Sequence, residues 1–236
     1  MRDLILILGD QLDADSAAFD GYDAKLDAIW MAEVAHESTK VWSSKPRITV
    51  FLSAMRHFRD ALRERGWRVF YHELTDDSAV WHGADGREKM ASGITFNTAL
   101  RDSLAHLKPQ RVVLVEPGEW SVKAEIRSTL DELGTAFEIR EDRHFMCSHS
   151  EFAKHCEGRK QLRMEFFYRE MRQRQGALMD NGKPVGGEWN FDSENRKSFG
   201  KAGPPIHRAP RTFPPDEITR GVITLVNTRF ANHPGD

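Results

Sequence analysis

Cysteine is nearly missing from this chain: Cys147 and Cys156 are the whole complement in 236 residues. Their spacing suits neither a disulfide framework nor a paired zinc site, so two reduced thiols are expected. Long hydrophobic runs are missing too. The opening MRDLILILGDQL holds an apolar stretch of about five residues, too short for the core of a secretory signal, and no later stretch approaches the roughly 18 to 20 that span a bilayer. A cytoplasmic protein is the expectation. Nor does one sign of charge dominate. Lysine plus arginine number 34 against 36 aspartate plus glutamate, so the overall field offers a polyanion such as DNA no general attraction, and any nucleic-acid contact has to be local. The turn after the first apolar run lacks G-x-G-x-x-G and no G-x-x-x-x-G-K-[ST] occurs, which argues against dinucleotide and P-loop nucleotide sites. There is no internal repeat.

What is present is enough apolar material, 39% of side chains, for one full α/β domain with a smaller appended region. Residues 4–8 and 112–115 are short, continuously apolar and rich in branched side chains, the pattern of strands covered on both faces. Residues 28–34 supply another strand. Residues 67–71 and 136–140 mix apolar with charged positions, which places them outermost. Between them, Ile48, Phe51, Leu52, Met55, Phe58 and Leu62 repeat at helical spacing, as do Phe96, Leu100, Leu104 and Leu107 before Pro109. Ser121 is a candidate cap for a third helix striped by Val122, Ile126, Leu130 and Leu133, with Gly134 as its stop. Strand–helix alternation with right-handed crossovers predicts an α/β fold: a Rossmann-like, doubly wound, five-stranded parallel sheet of order 3-2-1-4-5 over residues 1–145.

A helical and loop extension is expected over 146–202, with residues 152–171 as one helix and a loop around Gly186, Gly187 and Trp189. Five prolines between 204 and 215 make an extended linker, and residues 203–236 end in an amphipathic helix whose apolar stripe, 218–230, has little chain left to cover it. Arg159, Lys160, Arg163, Arg169, Arg172 and Arg174 flank Phe166, Phe167 and Tyr168. That mixture suits local nucleic-acid binding, but an ordinary amphipathic helix accounts for it better.

In an open parallel sheet, ligands sit beyond the carboxyl ends of the strands near the switch in strand order. The residues carried there are Gly9, Asp10, Gln11 and Leu12 after the first strand, Glu33 and Glu37 after the second, and Glu116 to Glu119 after the fourth, so the predicted mouth is acidic. Carboxylates accept hydrogen bonds and donate none, which suits a ligand rich in N–H and hydroxyl groups and poor in negative charge, such as a heteroaromatic ring with a polyol tail. Any one of these acids alone fits a solvated loop or a helix cap equally well; several at adjacent strand ends favour a site. Asp10, Glu33 and Glu116 around Mg²⁺, serving phosphoryl chemistry, is the ranked-lower alternative, because no Lys or Arg follows closely in the first turn. His57 and His72 stand in no nucleophile motif, so a hydrolytic triad has little support.

The blocks GDQL, MAEVAHE, FLSAMRHFRDALRERG, VEPGEW, EGRKQLRMEFFYREMRQRQG and PVGGEWNFDSENRK resemble, in order along essentially the whole chain, the bacterial photolyase-related proteins. These are also called iron–sulfur bacterial cryptochromes or prokaryotic (6-4) photolyases. The resemblance implies an amino-terminal Rossmann-like domain that holds an antenna chromophore, 6,7-dimethyl-8-ribityllumazine. Gly9, Asp10 and Glu37 would be its foremost contacts, with Glu33 and Gln11 behind them. Leu12 belongs to the same turn, and Glu116 joins on geometric grounds alone. It also implies a helical second half that binds FAD and a [4Fe–4S] cluster and receives a flipped DNA lesion. None of that half is expected in this chain, whose residues 203–236 would be a linker and the start of a helix leading to it; the chain would be an isolated domain, a split gene or a truncated product. By itself it should catalyse nothing, although the family is one of light-dependent DNA lyases. A scaffold acting through protein contacts, with self-association through 218–230, is the second reading.

Overall fold

The computed structural model describes residues 1–91, 95–192, 198–205 and 207–236. The chain divides into two compact units, one of residues 1–144 with 215–236 and one of residues 145–214. In the first unit β1 (Asp3–Leu6), β2 (Ala28–Ala32), α1 (Ala35–Thr39), α2 (Lys45–Glu64) and β3 (Val69–Leu74) come first. Then follow β4 (Ala79–His82), β5 (Glu88–Ala91), α3 (Phe96–Leu107), β6 (Arg111–Val115), α4 (Trp120–Glu132) and β7 (Phe137–Arg140).

The sheet has seven strands in the order β5-β4-β3-β2-β1-β6-β7. Its five parallel members keep the expected order, with β1 paired to both β2 and β6. The difference is a hairpin, β4 and β5, added antiparallel to the outer edge of β3. Residues 67–71 therefore do not form an edge. Each hairpin strand is four residues long, too short for alternation to stand out in the sequence.

Period two sorts the central side chains between two cores. Leu4, Leu6, Trp30, Val112 and Leu114 face α3 and α4. Ile5, Ile7, Ile29, Met31 and Val113 face α2. Both faces are covered, which is why these strands read as unbroken apolar runs. α2 begins at a Ser44 cap with proline in its first turn, a pairing favoured at helix starts. α4 is capped at Glu119, not at Ser121, and makes no side-chain cap bond.

The last helix, α7, runs over Glu217–Arg229. Its stripe is not left bare, as the sequence suggested. Val222, Leu225, Val226 and Phe230 are buried with Ile48, Leu52, Leu74 and Ala79, and the helix lies along α2. Residues 215–236 thus belong to the α/β unit and lead back to it. Self-association through 218–230 loses the exposed surface it required.

The second unit contains α5 (His149–Cys156), α6 (Met164–Gln175) and a two-stranded ribbon of β8 (Met179–Asp180) and β9 (Lys183–Pro184). The single helix expected over 152–171 is two, interrupted at residues 157–163. Among the described residues of this unit no apolar side chain is buried; its buried side chains are His155 and Arg172. His155 Nδ1 meets Glu170 Oε2 at 2.6 Å. The Arg172 guanidinium donates to the carbonyls of Ala177, Leu178 and Trp189. Arg169 and Arg174 pair with Glu165 and Glu151, so much of the basic run is spent on internal contacts. Cys147 and Cys156 are free thiols. No helix among the described residues is long and apolar enough to cross a membrane.

Candidate functional site

A cavity of about 290 Å³ opens at the carboxyl ends of β1 and β2. Strand-end residues Leu8, Ala32 and Val34 form its base, Phe51, Leu52 and Met55 of α2 one wall, and Pro117, Gly118 and Val122 the other. Gly9, Asp10, Glu33 and Glu37 all line it. Beside it lies a second hollow of about 370 Å³ that shares Gly9, Asp10 and Phe51 and adds Gln11 and Leu12. Glu116 lines neither and pairs with Lys123.

The expected acids are far from equivalent. Glu33 is fully buried, and its oxygens accept from Arg56 Nε at 2.7 Å, Arg56 Nη2 at 2.9 Å, the Tyr71 hydroxyl at 2.7 Å and the Leu74 amide at 2.8 Å. Four accepted bonds exhaust a carboxylate. Glu33 therefore ties β2 to α2 and β3, and holds nothing back for a ligand. The Tyr71 phenol, buried against that charge, is pushed well above its ordinary range by burial first and by Glu33 second.

Asp10 and Glu37 are different. Neither forms a side-chain ion pair with a described residue. Asp10 is exposed by area, yet its carboxyl stands in the cleft where water is partly excluded. That loss of hydration, with Asp142 and Glu119 adding repulsion, raises it above the usual carboxyl range. Its own backbone opposes the shift. Glu37 is half-buried and is raised for the same first reason, with Glu119 adding and Lys40 and His36 opposing. Glu119 itself is held down by Lys40 and Ser121. The cleft thus presents two under-solvated acceptors against apolar walls. Hydrogen-bond donors from a ligand would relieve both.

Gly9 has a packing reason of its own. A Cβ there would stand 2.9 Å from Met55 Sδ, so glycine lets β1 run out directly beneath α2. Gln11 donates from Nε2 to the carbonyls of Val115, at 3.3 Å, and Glu116, at 3.1 Å, which braces the turn across to β6. Its buried Oε1 has no partner. Leu12 packs against the α2-facing core. Phe51 and Met55 were visible in the sequence only as members of a helical stripe, and Arg47 and Ser43, which also line the cavity, carried no signal.

The Mg²⁺ arrangement is not supported. Glu33 is committed to Arg56, Glu116 to Lys123, and no group of three or more His, Cys, Asp or Glu side chains among the described residues is placed to hold a metal ion. His72 does meet a serine, with Nε2 2.7 Å from Ser103 Oγ, which also accepts from the Trp30 indole at 2.8 Å. Both His72 and Ser103 are buried in the sheet–helix core, so the pair is a polar bridge that no substrate reaches.

The Agrobacterium fabrum (strain C58 / ATCC 33970) protein named (6-4) photolyase is 42% identical over 236 residues, which are 100% of this chain and 43% of that protein. The chain therefore spans less than half the length of that curated relative. A family model described as deoxyribodipyrimidine photo-lyase-related protein matches residues 5–236. With the match running from inside β1 through α7 and across the cleft, the chain belongs to the deoxyribodipyrimidine photo-lyase-related protein family.

Proposed function

We propose that the cleft at the ends of β1 and β2 is an antenna site for a neutral, hydroxyl-rich heteroaromatic dye of the 6,7-dimethyl-8-ribityllumazine type. The protein would be a cytoplasmic, photolyase-related light-harvesting module, non-catalytic by itself. The observation that carries this reading is the pair Asp10 and Glu37, two partly desolvated carboxyls on one apolar-walled cavity with no ion pair to a described residue. The dye's ring N–H and ribityl hydroxyls are donors and would satisfy such acceptors without bringing negative charge. The cavity volume of about 290 Å³ lies at the lower edge of ordinary ligand pockets, roughly 300 to 1,000 Å³. A bound dye would supply near-ultraviolet or blue absorption, for use by FAD in a further part of a longer protein in DNA repair or light sensing. The residues of this chain bind and orient it: Asp10 and Glu37 accept, while Phe51, Met55 and Val122 exclude water.

The second unit supports a larger assembly. Phe145, Met146, Met164, Phe166, Phe199 and Phe213 are exposed there, with no buried apolar side chain among its described residues to form a core. Exposed apolar side chains of this kind supply the material of an interface where they adjoin. Its cover, on this reading, is the FAD-binding portion that the longer relative has length to contain.

Titration of the purified protein with the ribityllumazine, followed by absorbance and fluorescence, tests the site. Saturable binding is expected, weakened about tenfold or more by Asp10→Ala and by Glu37→Gln, the order of one hydrogen bond to a charged group. Affinity should fall as pH is lowered, beginning above the ordinary carboxyl range, because protonation weakens the acceptors of two carboxyls whose titration is shifted upward. A folded sample that takes up no dye at micromolar concentration would remove the reading.

A further inference from the structure

The residues that follow α7 pack on the segment that borders the same cleft. His233 Nδ1 lies 2.8 Å from the Ser43 carbonyl; a carbonyl only accepts, so this nitrogen carries the proton. The His233 ring stacks on Trp42 at 4.5 Å and 15°, and Phe230 meets it edge-on at 5.3 Å. One residue on, the Pro234 carbonyl accepts from the Lys45 amide at 2.8 Å. Gly235, at φ 90°, passes so near Pro46 that a Cβ would stand 2.8 Å from Pro46 Cδ. Apart from the Phe230 ring, these contacts fall on residues 42–46, the end of the connection between α1 and α2 and the first turn of α2. Ser43 and Arg47, at and just past that connection, line the cavity. Ile48 and Leu52 repeat the relation in the first turns of α2, facing the cavity and the buried side chains of α7 together.

We propose that His233 and Gly235 are positioning residues for the ligand cleft: neither lines the cavity, and by bracing residues 42–46 they set the place of Ser43 and Arg47 without touching the ligand. The proposal rests on the antenna reading only for the identity of the ligand that reports it. A connection loosened at the rim has to be ordered again on each binding event, and that ordering opposes affinity.

The test compares wild type with His233→Ala, His233→Asn and Gly235→Ala, in ribityllumazine titrations and in amide hydrogen exchange of residues 41–47 without dye. Asparagine carries a donor close to where Nδ1 sits, so it should restore what alanine loses. His233→Ala is expected to weaken dye binding about fivefold, the net worth of one hydrogen bond, and to speed exchange at 42–45. Gly235→Ala, which leaves the buried core alone, should shift both readouts the same way. Unchanged affinity and unchanged exchange in both alanine variants would overturn the proposal, and so would weaker binding without faster exchange. If wild type takes up no dye, the antenna reading fails by itself. Exchange then decides: faster at 42–45 in the alanine variants and restored in His233→Asn upholds the bracing, and no change refutes it.

Discussion

Removing the Glu33 charge would leave Arg56 buried with Glu73, 3.2 Å away, as its remaining carboxylate partner. Breaking a buried ion pair in this way costs roughly 3 to 5 kcal/mol. Glu33→Gln should therefore lower the midpoint of thermal unfolding by roughly 10 °C, and circular dichroism melts would show it; a shift under two degrees would mean that Glu33 is not the structural tie described. His72 makes the opposite kind of prediction. Burial depresses its imidazole to about 4, against roughly 6.5 in the unfolded chain. Between those values the unfolded state binds more protons, so stability rises with pH across the window and is lost as pH falls from 6.5 toward 4. The loss approaches about 3 kcal/mol. His72→Phe, which cannot titrate, should flatten that dependence in urea unfolding measured at pH 6.5, 5.5 and 4.5, and parallel curves for the two proteins would contradict it. Both residues were visible in the sequence as polar and chemically capable. What makes them structural is burial against partners 23 and 31 positions away, which no local pattern reports.

α7 is held to the α/β unit at each end. At its start Asp216 caps the helix, accepting from the Thr219 amide at 2.8 Å, and also meets His57 Nε2 at 2.6 Å. Near its end Arg229 donates to the carbonyls of Thr75 and Ser78 in the β3–β4 turn. The Thr219 backbone and side chain, with His57 behind them, hold the Asp216 carboxyl down at about 2. His57 is raised above its ordinary value, first by the Ser53 carbonyl and then by Asp216. The raised imidazole contributes its stability fully below about 6.5 and loses it as pH rises through the higher folded value. The first turn of α7 should then open more readily as pH goes from 6 to 8.5, beyond the intrinsic acceleration of amide exchange. In His57→Gln that extra opening should vanish, and a persisting pH response would assign it elsewhere. The helix itself was legible from Ile218, Val222, Leu225, Val226 and Phe230. Its destination was not, because a stripe specifies that a face is covered and leaves open by what.

The two units of the molecule are stabilised by different means. The α/β unit buries both faces of a sheet, and each fully buried Leu or Ile there contributes roughly 1.5 to 3 kcal/mol. The unit of residues 145–214 relies on polar and aromatic contacts: the His155–Glu170 pair, the Phe152–Phe167 edge contact and the three carbonyls held by Arg172. Contacts of this kind, with no buried apolar side chain among the described residues of the unit, mark the low-stability end of a structure. Brief trypsin treatment should cut within 145–214 while residues 1–144 stay whole, and residues 215–236 should remain bound through α7 after the cut. Mass spectrometry of the fragments that elute together from a sizing column checks both, and early cleavage inside α2 or α3 would be contrary to it.

The sequence by itself determined the five parallel strands, their order, and the delivery of Asp10 and Glu37 to the mouth. Strand ends are set by local pattern, and the position of a residue after a strand is then a matter of counting. Tertiary structure alone decided which acids stay open to a ligand. It closed Glu33 around Arg56 and Tyr71, turned Glu116 to Lys123, added a hairpin beyond β3, and brought residues 233–235 against 42–46 across more than half the chain. Those outcomes depend on which side chains meet through space, and meeting through space is a property of the packed molecule that no stretch of sequence contains.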